Sequence, residues 1–88
     1  MTTLHIEIQH NPVQYIKTFP KNKSMNECIQ SIVRRFGAVG VMGKDIYIYT
    51  VVKKSPYNEI KPVGMATFVK GKWYWVADNP KYAHITIE

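Results

Sequence analysis

The residues with which this 88-residue chain could do chemistry are few: three histidines, six carboxylates and one cysteine. Protein ligands for a metal usually sit a few residues apart on one element. His5 and His10 instead straddle the end of an apolar alternation, and Cys28 falls on the inward stripe of a helix pattern, so no Cys/His zinc site is expected. His5 and His84 share a different possibility, since each occupies the polar parity of a strand-like segment. If the first and last strands paired, the two imidazoles would be neighbours. With Glu7 or Glu88 beside them they could cleave RNA by general acid–base chemistry without a metal. The plainer reading is two solvent-facing strand histidines. Among the carboxylates, Glu27 belongs to a helix cap, and Asp45 and Asp78 sit at turns or strand ends, where aspartate is common. Ser24, Ser31 and Ser55 lack the context of a nucleophile elbow. No catalytic residue, metal ligand or cofactor is assigned, and the expectation is a binding module rather than an enzyme.

The glycine-rich stretch Gly37-Ala38-Val39-Gly40-Val41-Met42-Gly43-Lys44 invites a phosphate-loop reading and fails it. A Walker loop needs glycine where Ala38 stands and Ser or Thr where Asp45 stands. The order is also helix, loop, strand, so no helix N-terminus follows to face an anion. A dinucleotide fingerprint fails on the same order. These glycines are expected to end the helix and turn the chain back towards the sheet.

What remains is an interleaving of aromatic and basic side chains. Tyr47, Tyr49, Tyr57, Phe68, Trp73, Tyr74, Trp75 and Tyr82 alternate in sequence with Lys53, Lys54, Lys61, Lys70, Lys72 and Lys81. A sheet face that offers rings to bases and ammonium groups to phosphates is one way proteins hold single strands. The candidate nucleic-acid contacts are Tyr47, Tyr49, Trp73 and Trp75 as stacking platforms, with Lys53, Lys54, Lys70, Lys72, Arg34 and Arg35 on phosphate. Trp73 and Tyr74 have opposite parity, so only one of them can share the outward face. The bland alternative is that aromatic residues are ordinary strand formers and that lysine protects sheet edges. The aromatic ribonucleoprotein signature of RNA-recognition motifs is absent.

The elements that would position these residues are legible from periodicity. Leu4, Ile6 and Ile8 alternate with His5, Glu7 and Gln9 as in a half-buried strand, which Asn11-Pro12 interrupts. Residues 13–19 fit either a strand or one helical turn opened by Asn11 and Pro12. The helix is expected over 25–36. Ser24 and Glu27 form a capping box, and Met25, Cys28, Ile29, Ile32, Val33 and Phe36 make one stripe. Arg34 and Arg35 then complement the dipole before Gly37 stops the helix. Residues 45–54 read as a strand, 55–59 as a loop that Pro62-Val63-Gly64 prolongs, and 65–69 with 73–77 as a hairpin about Lys70-Gly71-Lys72. After a turn at Asp78-Asn79-Pro80, Ala83, Ile85 and Ile87 alternate as a final strand. The implied fold is α+β in two layers, the helix packed on a mostly antiparallel sheet of four to five strands.

Composition bounds the rest. Residues 1–88 are read as one domain, since a second core would not fit. Twelve basic against six acidic side chains give a net charge of +6, and ten of the twelve are lysines. Such a charge bears on partners rather than on fold. A single cysteine forbids an intrachain disulfide, and no secretion signal or apolar run of membrane length is seen, so a cytoplasmic location is expected. Frequent Lys, Ile, Asn and Tyr, with their AT-rich codons, point to a low-GC bacterial or phage genome. The partners this leaves are nucleic acid, RNA or single-stranded DNA, or a nucleic-acid-processing protein complex. In the second case the chain would be a viral or bacterial inhibitor or adaptor on a host nuclease or defence complex. Edge-to-edge pairing into a homodimer is compatible with so small a sheet.

Overall fold

The computed structural model describes residues 2–8, 14–37, 45–54 and 56–87. Along them run β1 (Thr2–Ile8), β2 (Gln14–Phe19), α1 (Met25–Gly37), β3 (Ile46–Lys54), β4 (Tyr57–Val69), β5 (Lys72–Ala77) and a 3-10 turn at Pro80–Tyr82. The five strands form one sheet in the order β2-β1-β3-β4-β5, antiparallel at every pairing. One helix on one antiparallel sheet is the two-layer α+β arrangement expected. The glycine connector at 38–44 and His10 lie outside the described residues. No helix among the described residues is long and apolar enough to cross a membrane.

The ambiguous segment resolves as β2, because Tyr15 opposite Ile6 and Phe19 opposite Thr2 place alternate side chains against the core. Strands β2 and β3 both run antiparallel to β1, which lies between them. The chain must therefore cross the sheet face to pass from one to the other, and α1 is part of that crossing. Its stripe of Cys28, Ile29, Ile32 and Val33 packs with Leu4, Ile6, Ile46 and Ile48 into the core. At its start the Ser24 hydroxyl oxygen accepts from the Glu27 backbone N–H at 3.2 Å and also donates to the Glu27 carboxylate at 3.2 Å. The capping box thus closes through the hydroxyl, in a compact variant of the reciprocal arrangement expected.

Two sequence expectations fail, each for a local reason. Residues 57–64 are not a loop but the first half of β4. The ladder pairs Ile48 with Gly64 and Tyr49 with Pro62, so Val63 is an extra residue, a bulge. Proline is tolerated in strands at such bulges, and here the bulge hides the strand period from a reader of the sequence. The final strand is also absent: residues 85–87 join no ladder. The Asn79 side chain accepts from the Lys81 N–H at 3.0 Å and Pro80 opens the 3-10 turn, which steers the chain off the sheet. It then crosses the helix-side face. Trp75 Nε1 donates to the Tyr82 carbonyl at 3.0 Å, Gln30 Nε2 donates to the Thr86 carbonyl, and Ile85 enters the core.

Gly64 makes room for that cover. A Cβ there would meet Cζ2 of the Trp75 indole and would lie 2.7 Å from both the ring's Cη2 and the Val76 carbonyl oxygen. Gly64→Ala should therefore destabilise by about 1–3 kcal/mol through overpacking, seen as a lower denaturant midpoint. The β4–β5 turn has the opposite slack. Its two central residues, Lys70 and Gly71, both have positive φ, 52° and 81°, the geometry in which Asn-Gly is preferred. Lys70→Asn should stabilise by about 1 kcal/mol, and no gain in the same melt would show that Lys70 bears no strain.

Candidate docking face

The ladders sort side chains into two faces. On the helix side, Ile8, Ile46, Ala66 and Trp75 form one row across four strands. On the other side a row crosses all five strands: Gln14, Glu7, Tyr47, Met65 and Val76. The next row on that side is Ile16, His5, Tyr49 and Pro62, followed by Val51 with Ile60 and Lys53 with Asn58. Tyr74 with Thr67, and Lys72 with Val69, complete it at the far end. Helix α1 and the C-terminal crossing both pack against the helix side, and no described element covers the second face.

This open face mixes exposed apolar side chains with polar ones, among them Thr3, Gln14, Thr18 and Asn58. Ile16, Ile60, Tyr74 and Val76 are 62%, 59%, 51% and 48% exposed. Three charged residues share it among the described side chains: Glu7, Lys53 and Lys72. At its centre the His5 ring stacks on Tyr49, centroids 5.3 Å apart, and Tyr47 packs against Tyr49 at 5.6 Å. The Tyr49 hydroxyl donates to Glu7 Oε1 at 3.2 Å, and Gln14 Nε2 donates to the same oxygen at 3.2 Å. These neighbours leave Tyr49 only 3% exposed although it points away from the helix. Both phenols are pushed up from the ordinary tyrosine range. Burial is the first cause for each. Asp78 and then Glu7 add to it at Tyr47. At Tyr49 the hydrogen bond to Glu7, the Glu7 charge and Tyr47 add to it. The carboxylates of Glu7 and Asp78 are thus among the charges that raise the pair.

Of the candidate contacts, Tyr47, Lys53 and Lys72 lie on this face, and Lys70 sits exposed at the adjoining turn. Tyr49 shares the outward parity but is buried among its neighbours and offers no ring for a base to stack on. Tyr74, not Trp73, takes the outward parity. Trp73 and Trp75 are turned to the helix side, where Phe68 packs on Trp73 at 5.2 Å and both tryptophans border the core. They cannot serve as outward stacking platforms. Arg34 and Arg35 are exposed on α1, across the sheet from the tyrosines. Lys54 belongs to β3 by its backbone. Sequence reasoning missed Ile16 and Ile60. The alternation Tyr15, Lys17, Phe19 could have revealed the first. The second needed the bulge, because a strict alternation back from Ala66 would have buried it.

The pairing that would bring His5 to His84 does not exist. The two neighbours of β1 are β2 and β3, and His84 is exposed in the turn after the 3-10 segment. No group of three or more His, Cys, Asp or Glu able to hold a metal occurs among the described residues. No family model, curated protein or solved structure matches the chain.

The tyrosine cluster has a titration signature. A phenol whose folded pKa is raised adds stability that is complete below the unfolded pKa and is lost as pH rises through the folded one. Tyr47 and Tyr49 should ionise above the ordinary tyrosine range in an absorbance titration, and Tyr49→Phe should remove one of these late steps. A titration that Tyr49→Phe leaves without loss of a late step would contradict the geometry of the cluster.

Proposed function

We propose that the chain is a non-enzymatic binding module that docks a partner protein through the open sheet face, as a small adaptor or inhibitor does. The observation that carries this reading is the exposure of Ile16, Ile60, Tyr74 and Val76 on one continuous face. Branched aliphatic side chains gain by burial against protein, and large exposed apolar patches mark interaction sites. They offer little to phosphate. Tyr74, half exposed on the same face as Val76, also suits an interface anchor.

A nucleic-acid partner is the second reading, favoured by Tyr74 and Lys72 on the same face and by the net charge of +6. Stacked bases would each contribute about 1–3 kcal/mol. Against it stand the burial of Tyr49 and the negative charge of Asp78 and Glu7 beside Tyr47.

Salt separates the two. Tagged protein is used as bait in a lysate of its source organism at about 1 M salt, where the screening length is only about 3 Å. Docking through the face predicts a stoichiometric protein that wild type retains and Ile60→Glu with Val76→Glu loses. Binding to labelled single-stranded RNA or DNA instead, falling steeply with salt and weakened by Lys70→Gln with Lys72→Gln, would establish the second reading. If the face variant keeps the captured protein, the open face is not where it docks.

A further inference from the structure

The β3–β4 hairpin outruns the sheet. Strand β1 pairs with β3 as far as His5 and Tyr49, and β5 pairs with β4 only from Gly64 onward. Between them, residues 50–54 pair with 57–61 as a ribbon flanked by no third strand among the described residues. Such a ribbon is about 15 Å long, and no described strand pairs with its β3 edge. Two-stranded ribbons are marginal alone in water, and free edges are sites of strand addition.

The two edges differ. The β4 edge carries Glu59, and Pro62, which has no N–H to offer, so it is blunted. The β3 edge reads Thr50, Val51, Val52, Lys53, Lys54: three β-branched residues, then two lysines, with no proline or acid. It has the composition of a good strand and a one-sided charge.

We propose that the edge of β3 over residues 50–54, which no described strand pairs, is a strand-addition site for an extended acidic segment of a partner protein. Main-chain hydrogen bonds would supply affinity and alternate side chains selectivity, as in other strand-addition modes. The incoming strand would set β-branched or aliphatic residues beside Thr50, Val51 and Val52, and Asp or Glu beside positions 53 and 54, since opposite charges across a ladder attract. The same lysines discourage a second copy, which brings the same edge and a like net charge of +6. This site is a backbone edge rather than the apolar face, and it stands or fails independently of the docking reading above.

The test is amide hydrogen exchange, read by NMR on the full chain, with the synthetic peptide acetyl-Glu-Glu-Val-Thr-Val-amide as probe. Run antiparallel, it aligns its two glutamates with positions 54 and 53. Alternate amides within 50–54 should be protected as the peptide is added. A Lys-Lys version should bind at least about tenfold more weakly. Lys53→Glu together with Lys54→Glu should reverse that order while leaving the remaining amide signals unchanged. Protection of no amide in 50–54, or equal binding of the two peptides, would overturn the proposal. Protection already present in the free protein and growing with its concentration would also overturn it, because a second copy would then hold the edge.

Discussion

A single extra residue, Val63, arranges much of what is distinctive in this chain. By standing outside the one-to-one pairing of β3 with β4, it lets its own side chain enter the core beside Ala66 and Ile48. Its carbonyl accepts from the Asp78 N–H at 3.1 Å, so the backbone it displaces is still satisfied, and the chain leaving β5 is held against the bulge. Every β4 side chain N-terminal to it changes face relative to a regular strand. Ile60, which an unbroken alternation would have buried with Gly64 and Ala66, is turned outward beside Val51. A bulge also bends the strand that carries it and increases local twist. The ladder between β1 and β3 ends at the register position where the bulge falls, and the ribbon begins there.

The second constraint is area. One helix of thirteen residues and a short C-terminal crossing must cover five strands, and together they cover one face. Trp75 and Trp73 extend that cover under the crossing, with Gly64 lacking a side chain where the Trp75 indole lies. All the large aromatic bulk of β5 except Tyr74 is thereby drawn inward. The opposite face is left to whatever β-branched and aromatic residues the strands carry at the other parity. That residue set folds as a sheet without a layer over it because Tyr49, His5, Tyr47 and Glu7 shield each other laterally.

The legible parts of this fold were those whose signals are local. Ser24, Glu27, the 3.6-residue stripe and Gly37 specify α1 without reference to anything distant, and the structure runs it from Met25 to Gly37. The alternation in β1 and β3 likewise fixes their faces, including the outward Tyr47 and Tyr49. The unread parts depended on partners. Nothing within residues 57–64 tells that β3 will pair past a bulge, and Pro62 argued locally for a loop. The alternation of Ile85 and Ile87 correctly signals an inward apolar side, but whether such a segment joins a ladder is decided by the turn at Asn79 and Pro80 and by the groups that catch it, Gln30 and Trp75. Parity alone could not choose between Trp73 and Tyr74. That choice follows from Ala66 being the core residue across from Trp75.

The fold also separates charges that are interleaved in sequence, and this bears on what the open face can hold. Lysines and tyrosines alternate along residues 47–82, yet strand parity and the bulge distribute them differently in space. Lys61 goes to the parity opposite Ile60, Arg34 and Arg35 ride on the far layer, and Lys81 lies over the Tyr82 ring at 5.7 Å on the C-terminal crossing. Glu7, by contrast, sits among the tyrosines and accepts the Tyr49 hydroxyl. A phosphate backbone laid over Tyr47 would meet the like charge of the exposed Glu7 carboxylate. An apolar protein surface brought to the same place would bury Ile16, Ile60 and Val76. The exposed Glu7 carboxylate would keep the hydrogen bonds its Oε1 accepts from Tyr49 and Gln14 but would lose water, so such a partner must leave Glu7 wet or bring it a donor. Among the described residues Arg34 and Arg35 on the helix and Lys70 at the turn lie off this face, and charge so placed steers encounter more than it adds affinity.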